Sequence, residues 1–206
     1  MSDQKILRRK YELKKRAADM AETRRRITAA AVELHGTVGP ARTTVSAVAK
    51  RAGVQRHTVY RYFPTEADLI DACSAHFWAE NPWPDAEAWS EVADPGKRLE
   101  RALDELYAYY ERTAPMYNNI LRDAELVDAV GRALEPREAF LARCVANLAA
   151  GRPERGRRRR VVEAALAHVM AFETWRSLAV TGALPRPEVV RLSAALDAAA
   201  WSPEAA

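Results

Sequence analysis

The sequence has 206 residues, enough for one or two domains, and its 49% hydrophobic and 29% charged residues are typical of a globular protein with a sizeable core. No stretch approaches the roughly 20 apolar residues of a membrane span, and the basic N-terminus lacks the apolar region of a signal peptide. Two cysteines, Cys73 and Cys144, cannot form a disulfide framework and fit a reducing compartment. These features exclude membrane-spanning, secreted and disulfide-stapled proteins, and we expect a cytoplasmic location.

The net charge of +4 is unevenly distributed along the chain. Residues 1–63 hold 15 Lys and Arg against 5 Asp and Glu, a net charge of +10, whereas residues 64–206 carry a net charge of −6. A basic N-terminal third on an acidic remainder is typical of a module that binds a polyanion such as nucleic acid. A chance run of solvated lysines and arginines is the alternative.

Helical periodicity recurs along the whole chain and strand alternation is almost absent, which predicts an all-α fold with about nine helices. The first amphipathic helix ends near Gly36 and Gly39. Thr44, as an N-cap, and Gly53, as a terminator, bound a short second helix. Later helices are predicted over about 55–63, 96–113, 124–149, 161–181 and 188–200, and two more are predicted to start near residues 64 and 115. Pro136 is a candidate point of adjustment within 124–149.

Residues 44–63, with the sequence TVSAVAKRAGVQRHTVYRYF, predict two short helices joined by a tight turn. Gly53 permits a positive φ in that turn, and Val48 and Val59 supply a small core. The second helix would expose side chains that can donate to phosphates and to base edges in a major groove. The alternative is the polar face of an ordinary surface helix, but short helices, a glycine turn and local basicity together favour a helix-turn-helix.

Residues 23–69 resemble the DNA-binding domain of the TetR family of bacterial transcriptional regulators. The matching residues are Thr23–Ile27, Leu34, Gly39, Thr44, Val45, Val48, Ala49, Ala52–Val54, Thr58–Phe63, Asp68 and Leu69. The resemblance implies an N-terminal three-helix DNA-binding domain over residues 23–67. It also implies a helical C-terminal domain over residues 68–206 that binds an effector and forms a dimer.

The same resemblance implies a set of residues that contact double-stranded DNA. The positions expected to reach bases are Ser46, Arg56, His57 and Thr58. The positions expected to hold phosphates are Thr44, Tyr60, Arg61 and Tyr62. Glu66 departs from the family pattern, which often has a phosphate-binding lysine there, and this puts one phosphate contact in doubt.

Residues 1–22 form a basic N-terminal extension in which lysines and arginines alternate with apolar residues at helical spacing. One hypothesis is a helix, or a segment that folds on binding, that follows phosphates or enters an adjacent minor groove. The alternative is a frayed, solvated tail.

The acidic remainder contains apolar and aromatic residues that are candidates for an effector pocket between helices. They are Trp78, Tyr107, Tyr110, Met116, Tyr117, Leu121, Phe140, Cys144, His168, Phe172 and Trp175. Taken one at a time, each of them is better explained as an ordinary core residue, because aromatic residues at helical spacing usually belong to a core. As a set they favour an uncharged or weakly polar effector, oriented by His168 or Tyr107.

Residues 161–181 are apolar around most of the predicted helix and therefore need two burial partners. We expect this segment to pair with residues 188–200 and with their copies in a second chain, forming a four-helix bundle at a homodimer interface.

Several other chemistries are not supported by the sequence. Cys73 and His76 share a helical face, but two ligands do not make a zinc site, and no nucleotide-binding or zincin motif occurs. The run Arg157–Arg160 is either a second polyanion site or a solvated helix start. We therefore expect no cofactor, no metal and no enzymatic activity, although an enzyme using the aromatic cavity is a rival hypothesis.

The sequence as a whole predicts a homodimeric regulator that binds a palindromic operator, most often as a repressor in this family, and that a small, largely apolar effector releases. A constitutive regulator without ligand control and a sequence-indifferent DNA-binding protein are the alternatives.

Overall fold

The computed structural model describes the backbone of residues 2–201 and the side chains of residues 9–199. Over that range the all-α prediction is confirmed, and no strand occurs. The helices are α1 (Ser2–Thr37), α2 (Val45–Ala52), α3 (Arg56–Tyr62), α4 (Glu66–Glu80), α5 (Pro95–Asp123), α6 (Asp128–Ala133), α7 (Glu135–Ala149), α8 (Gly156–Met170), α9 (Phe172–Trp175) and α10 (Arg186–Trp201). None of these helices is both long and apolar enough to cross a membrane.

Packing divides the chain into two units. The first consists of Met1–Glu80 and Asn118–Ala133, and the second of Asn81–Tyr117 and Leu134–Ala206. The resemblance implies a boundary after residue 67, whereas packing joins α4, the end of α5 and α6 to the first three helices. The functions predicted for residues 1–22, 23–67 and 68–206 remain predictions.

The first unit is organised around a small apolar core shared by α1 to α4. Ile27 of α1, Val48 of α2 and Val59 of α3 are almost completely buried in it, together with Phe63. Further toward the N-terminus, residues 9–22 of α1 are exposed throughout. Residues 9–22 of the N-terminal extension therefore continue α1 as a solvated helix and add nothing to this core.

Helix α5 passes through Pro115 without a break, so the prediction of separate helices over 96–113 and from 115 was wrong. Proline lacks an N–H group, which leaves the carbonyl of Glu111 without its intrahelical donor. The helix continues because its apolar face is buried, as Leu99, Leu103 and Leu106 show. Tertiary packing outweighs the local cost of the proline.

The single helix predicted over 124–149 is also wrong, because the chain turns twice in that range. The amides of Leu126 and Val127 both donate to the carbonyl of Asp123 at 3.0 Å, which closes a turn after α5. Leu134 then separates α6 from α7. Pro136 lies in the first turn of α7, where a missing N–H group breaks no intrahelical bond.

Residues 161–181 do not form one helix either. Helix α8 ends at Met170, because Ala171 takes an extended backbone conformation with φ −66° and ψ 141°. The single turn α9 follows and leads into a π-helical turn at Arg176–Thr181. A Cβ atom on Gly182 would lie 2.7 Å from the carbonyl oxygen of Leu178, so only glycine fits the end of this turn.

Helices α8 and α10 pack against each other in the second unit. Val162 and Leu166 of α8 are buried, as are Val189 and Ser193 of α10. Arg152 and Asp197 form an ion pair at 2.9 Å, and their side chains are only 3% and 4% exposed. This ion pair holds the loop before α8 against α10. Burial raises the pKa of the Asp197 carboxyl, and the adjacent guanidinium of Arg152 opposes that rise.

The basic start of α8 has internal partners. Arg159 forms an ion pair with Glu163 at 2.7 Å and donates to the carbonyl of Ala149 at 2.5 Å. These contacts offset the unfavourable placement of cations at a helix N-terminus. They favour the reading of Arg157–Arg160 as a helix start over a second polyanion site.

Candidate nucleic-acid interface and effector site

Helix α2 and the turn after it are fixed by two local features. The Oγ1 atom of Thr44 accepts a hydrogen bond from the amide of Ala47 at 3.1 Å and caps the start of the helix. At the other end Gly53 has a φ of 65°, and the amide of Val54 donates to the carbonyl of Ala49 at 3.0 Å. The chain therefore leaves α2 in a single, defined direction toward α3.

Helix α3 has one buried side and one exposed side. Val59 is buried, as is Phe63 directly after the helix. The residues predicted to contact DNA lie on the surface of this region, with Thr58 and Tyr62 half-buried and the others exposed, namely Thr44, Ser46, Arg56, His57, Tyr60 and Arg61. Their contact with DNA remains a prediction.

The arginines of this unit fall into two groups. Arg26 of α1 donates to the carbonyl of Ala52 and, at 3.3 Å, to that of Gly53, while the guanidinium of Arg24 lies 4.5 Å from the centre of the Phe63 ring. These two side chains hold the helix-turn-helix against α1. Arg56 and Arg61, in contrast, form no ion pair with any residue that the structure describes, so their charges are available to a polyanion.

The loop between α1 and α2 is held by the last turn of α5. Asp123 accepts a hydrogen bond from the amide of Ala41 at 3.0 Å, and Arg122 donates to the carbonyl of Val38 at 3.1 Å. The guanidinium of Arg122 keeps the pKa of the Asp123 carboxyl below its usual range. Gly39, with a φ of 94°, passes so close that a Cβ atom there would collide with both side chains.

The same turn of α5 also contacts the end of α1. The side-chain amide of Asn119 donates to the carbonyl of His35 at 2.9 Å. The imidazole of His35 is itself buried, and burial lowers its pKa to about 4, although the charge of Asp123 opposes that shift. Sequence reasoning did not find Asn119, Arg122 or Asp123, because no local pattern marks the end of a helix as a partner of a distant loop.

Three aromatic rings of the second unit pack around the ring of Tyr110. The ring centre of Tyr110 lies 5.5 Å from that of Tyr117, 5.3 Å from Phe172 and 5.9 Å from Trp175. Phe172 in turn lies 5.2 Å from Tyr117 and 5.3 Å from Trp175. Four of the residues predicted to bind an effector are thus brought together, and we call Tyr110, Tyr117, Phe172 and Trp175 the aromatic cluster.

The tyrosine hydroxyls next to α8 are already hydrogen-bonded within the chain. Tyr110 donates to the carbonyl of Met170 at 2.8 Å, and Tyr107 donates to that of Val169 at 2.6 Å. Burial raises the pKa of Tyr107 to about 12 and raises the pKa of Tyr110 as well. Both phenols are therefore neutral near pH 7, and the proton of Tyr107 is not available to orient an effector in the way the sequence suggested.

Arg137, in the first turn of α7, lies beside the aromatic cluster. Its side chain is buried, its guanidinium carbon is 5.4 Å from the centre of the Tyr117 ring, and its Nε atom has no hydrogen-bond partner. Its charge works against the rise in the pKa of Tyr110 and Tyr117 that burial causes. Sequence reasoning missed Arg137, although it precedes the buried Phe140 and Cys144 at helical spacing, which is the signal that could have identified it.

The remaining residues predicted to line the pocket are not part of the aromatic cluster. Phe140 stacks on Trp83 with ring centres 5.1 Å apart, and burial raises the pKa of the Cys144 thiol to about 12. The side chain of His168 is exposed. Trp78 and Leu121 belong to the first unit.

No metal centre is formed in the part of the chain that the structure describes. No group of three or more His, Cys, Asp or Glu side chains is placed to hold an ion there. The thiol of Cys73 is buried and donates to the carbonyl of Thr28 at 3.8 Å, and His76 lies 3.5 Å from Glu80. Both side chains of the Cys73–His76 pair thus have other contacts.

Residues 27–73 match the family model described as bacterial regulatory proteins, tetR family. This match confirms the resemblance that the sequence analysis based on residues 23–69. No curated protein sequence matches the chain.

The fold is similar to several solved structures. A TetR-like transcriptional regulator from Rhodococcus sp. RHA1 aligns with a TM-score of 0.63 at 19% identity, over 85% of this chain and 93% of the other. FadR from Bacillus subtilis, in complex with stearoyl-CoA, aligns with a TM-score of 0.56 at 20% identity, over 86% and 97%. FadR from Thermus thermophilus, a repressor in complex with lauroyl-CoA, aligns with a TM-score of 0.54 at 20% identity, over 87% and 95%. At these identities the likeness establishes the fold.

The buried His35 predicts a loss of stability on acidification. Its pKa is about 4 in the folded protein against 6.5 when unperturbed, so the unfolded chain binds one more proton between those values. The free energy of unfolding should therefore fall as the pH drops from about 6.5 to about 4, by up to about 3 kcal/mol from this residue. Urea unfolding across this range, compared with a His35→Leu variant, isolates its contribution. Equal pH dependence in the two proteins would contradict the prediction.

Proposed function

We propose that this protein, whose residues 27–73 belong to the tetR family of bacterial regulatory proteins, is a homodimeric transcriptional repressor that a small, largely apolar effector releases from a palindromic operator. The observation that carries the proposal is the exposed side of α3, where Arg56, His57 and Arg61 are accessible and Arg56 and Arg61 form no ion pair with any described residue. Such a surface fits the width of a major groove.

Helix α3 is too short to provide high affinity alone. Its seven residues span about 10 Å, so it reaches only a few base pairs. Two copies, one helical turn of DNA or a multiple of it apart, would read symmetric half-sites together. In this proposal Arg56, His57, Thr58 and Ser46 reach bases.

Phosphates would be bound by residues at the start of α2, on α3 and in the N-terminal part of α1. Thr44 presents its hydroxyl at the start of α2, and the exposed Tyr60 and Arg61 lie on α3. The exposed helix over residues 9–22 adds Arg9, Lys10, Lys14, Lys15 and Arg16, which would follow the DNA backbone next to the half-site. These cations compensate for the carboxylate at Glu66.

The dimer would use helices α8 and α10. Val161 of α8 and Leu192 and Leu196 of α10 are 44%, 41% and 46% exposed, although the opposite sides of both helices are buried. Large apolar side chains on the outer side of two packed helices are typical of a surface that a second copy covers. This supports the four-helix bundle predicted for residues 161–181 and 188–200, with α8 and α10 supplying its helices.

The effector would bind at the aromatic cluster. Both FadR proteins are in complex with an acyl-CoA, which supports a ligand site in a protein of this fold. Helix α5 carries Tyr110 and Tyr117 of the cluster, and its last turn carries Asn119, Arg122 and Asp123, which contact the end of α1 and the loop before α2. Release from DNA would follow if the ligand favours a position of α5 that fits the operator less well, and a tenfold effect needs only about 1.4 kcal/mol of coupling.

Selection of bound duplexes from a random pool tests the proposed recognition helix. The protein should enrich one short inverted repeat, and Arg56→Ala and His57→Ala should each weaken its binding about tenfold or more and relax the preference at particular base pairs. Arg157→Ala, an exposed arginine of the second unit, is the matched control and should change neither property. If no sequence is enriched, the protein is a sequence-indifferent DNA-binding protein and the proposal fails.

The N-terminal helix should contribute to the salt dependence of binding. Deleting residues 2–20 should flatten the plot of log affinity against log salt concentration, by about 0.9 for each phosphate contact that is lost. Fluorescence anisotropy with a labelled operator at several salt concentrations measures this slope. Replacement of the exposed, uncharged Tyr11 and Leu13 by alanine is the control and should leave the slope unchanged. An unchanged slope after the deletion would show that the segment does not touch DNA.

The α8–α10 interface can be tested by charge. Leu192→Glu combined with Leu196→Glu should convert a dimer into the 23.0 kDa monomer, because four carboxylates would face one another across the two-fold axis. Light scattering coupled to gel filtration measures the mass. Leu126→Glu introduces a carboxylate at an exposed leucine of the first unit and should leave the dimer intact. A double variant that remains a dimer would place the interface elsewhere.

A further inference from the structure

We propose that the effector carries a carboxylate group and that Arg137 binds it, so that the aromatic cluster is a site for an apolar organic acid. This inference rests on the proposed function, because it names the chemical class of the ligand at that site. It also changes the expectation from the sequence, which favoured an uncharged or weakly polar ligand.

The first observation is a buried cation without an internal anion. Arg137 is 8% exposed and hydrogen-bonds to the side chains of Tyr110 and Tyr117. Its Nε atom has no partner, and the guanidinium forms no ion pair with any residue that the structure describes. An arginine keeps its charge in almost any environment, and a buried charge is costly unless it is paired. The other buried arginine of this unit, Arg152, is paired with Asp197. Arg137 differs from it.

The second observation is that the polar groups left over at the cluster are donors. The Nε atom of Arg137 and the Nε1 atom of Trp175 are both buried without a hydrogen-bond partner. The tyrosine hydroxyl at the centre of the cluster is already committed, since Tyr110 donates to the carbonyl of Met170. Both unsatisfied groups are donors, and a carboxylate supplies acceptor oxygens for groups of this kind.

The third observation is the position of Arg137 in its helix. It stands in the first turn of α7, a helix of 15 residues whose N-terminus carries a partial positive charge. A cation is unfavourable there, and Glu135 and Glu138 of the same turn are exposed rather than folded in toward it. The helix end and the guanidinium therefore both favour an anion at this place.

The rings around Arg137 determine what the rest of the ligand must be. Tyr117, Phe172 and Trp175 present apolar faces and edges, and all three are buried. The contact of Arg137 with the Tyr117 ring stabilises the cation, but it leaves the N–H group of Nε without an acceptor. The matching ligand has one carboxylate and an aromatic or alkyl body. A second charged group would find no partner in the cluster.

Binding of matched acids and amides tests the assignment. The probes are 2-naphthoate and decanoate, each compared with the primary amide of the same skeleton, titrated into the full-length protein by calorimetry. At least one acid should bind about tenfold to a hundredfold more tightly than its amide, because a hydrogen-bonded charge pair replaces a neutral contact. Acids that bind no better than their amides would overturn the proposal.

Variants of Arg137 connect this preference to one side chain. Arg137→Met, similar in length and uncharged, should bring the acid-to-amide ratio close to one, and Arg137→Lys should restore part of it. Arg143→Met makes the same change at an exposed position of the same helix and should leave the ratio unchanged. Glu173→Gln should also leave it unchanged, since Glu173 is exposed. A ratio that survives Arg137→Met would overturn the proposal.

Thermal stability separates a binding role from a structural one. Removing an unpaired buried charge costs little or is favourable, so Arg137→Met should melt at the same temperature as the parent protein or higher. A fall of several degrees would show that Arg137 serves the fold, and the assignment would fail. Operator affinity is measured separately with and without the acid. Acid binding that leaves DNA affinity unchanged would contradict the effector role but keep the carboxylate site. A change in DNA affinity without any preference for acid over amide would support the effector role but contradict the carboxylate site.

Discussion

The burial of Val59 and Phe63 against α1 is the interaction on which the DNA-binding surface depends. A helix of seven residues is not stable in water by itself, because nucleation costs more than so few hydrogen bonds return. α3 therefore exists only while its apolar side is covered by the core that Ile27 and Val48 complete. The exposed side chains of α3 owe their fixed positions to residues that never meet a ligand.

In the second unit, buried tyrosines must find hydrogen-bond partners for their hydroxyl groups. Tyr107 and Tyr110 donate their protons to carbonyls near the end of α8, where Ala171 interrupts the helix and leaves those carbonyls available. Arg152 and Asp197 neutralise each other nearby. Among the described residues Arg137 has no such anionic partner, and its buried Nε atom has no hydrogen-bond acceptor, which calls for an explanation.

Sequence reasoning was most successful where structure depends on local chemistry. The cap at Thr44, the left-handed turn at Gly53 and the exposed positions of α3 all follow from residue types within a few positions of one another. Sequence reasoning failed where packing between residues far apart in the sequence determines the structure. Pro115 was expected to start a helix and lies inside one, because buried leucines earlier in α5 hold the helix together. The breaks at Leu134 and Ala171 were also missed, since neither residue has a strong preference of its own.

The candidate ligand site also contains residues that the sequence predicted and one residue that it did not. The sequence identified the four aromatic residues of the cluster, Tyr110, Tyr117, Phe172 and Trp175, because aromatic residues at helical spacing stand out. Arg137 was not among the predicted residues. Its burial follows from the face of α7 that packs inward, which is clear only once α7 is separated from α6.

The proline in α5 has a mechanical consequence. A helix resists bending because its backbone hydrogen bonds must stretch or compress. Pro115 has no N–H group to donate to the carbonyl of Glu111, so one of these hydrogen bonds is missing. Bending α5 at this point therefore distorts one hydrogen bond fewer than bending it elsewhere.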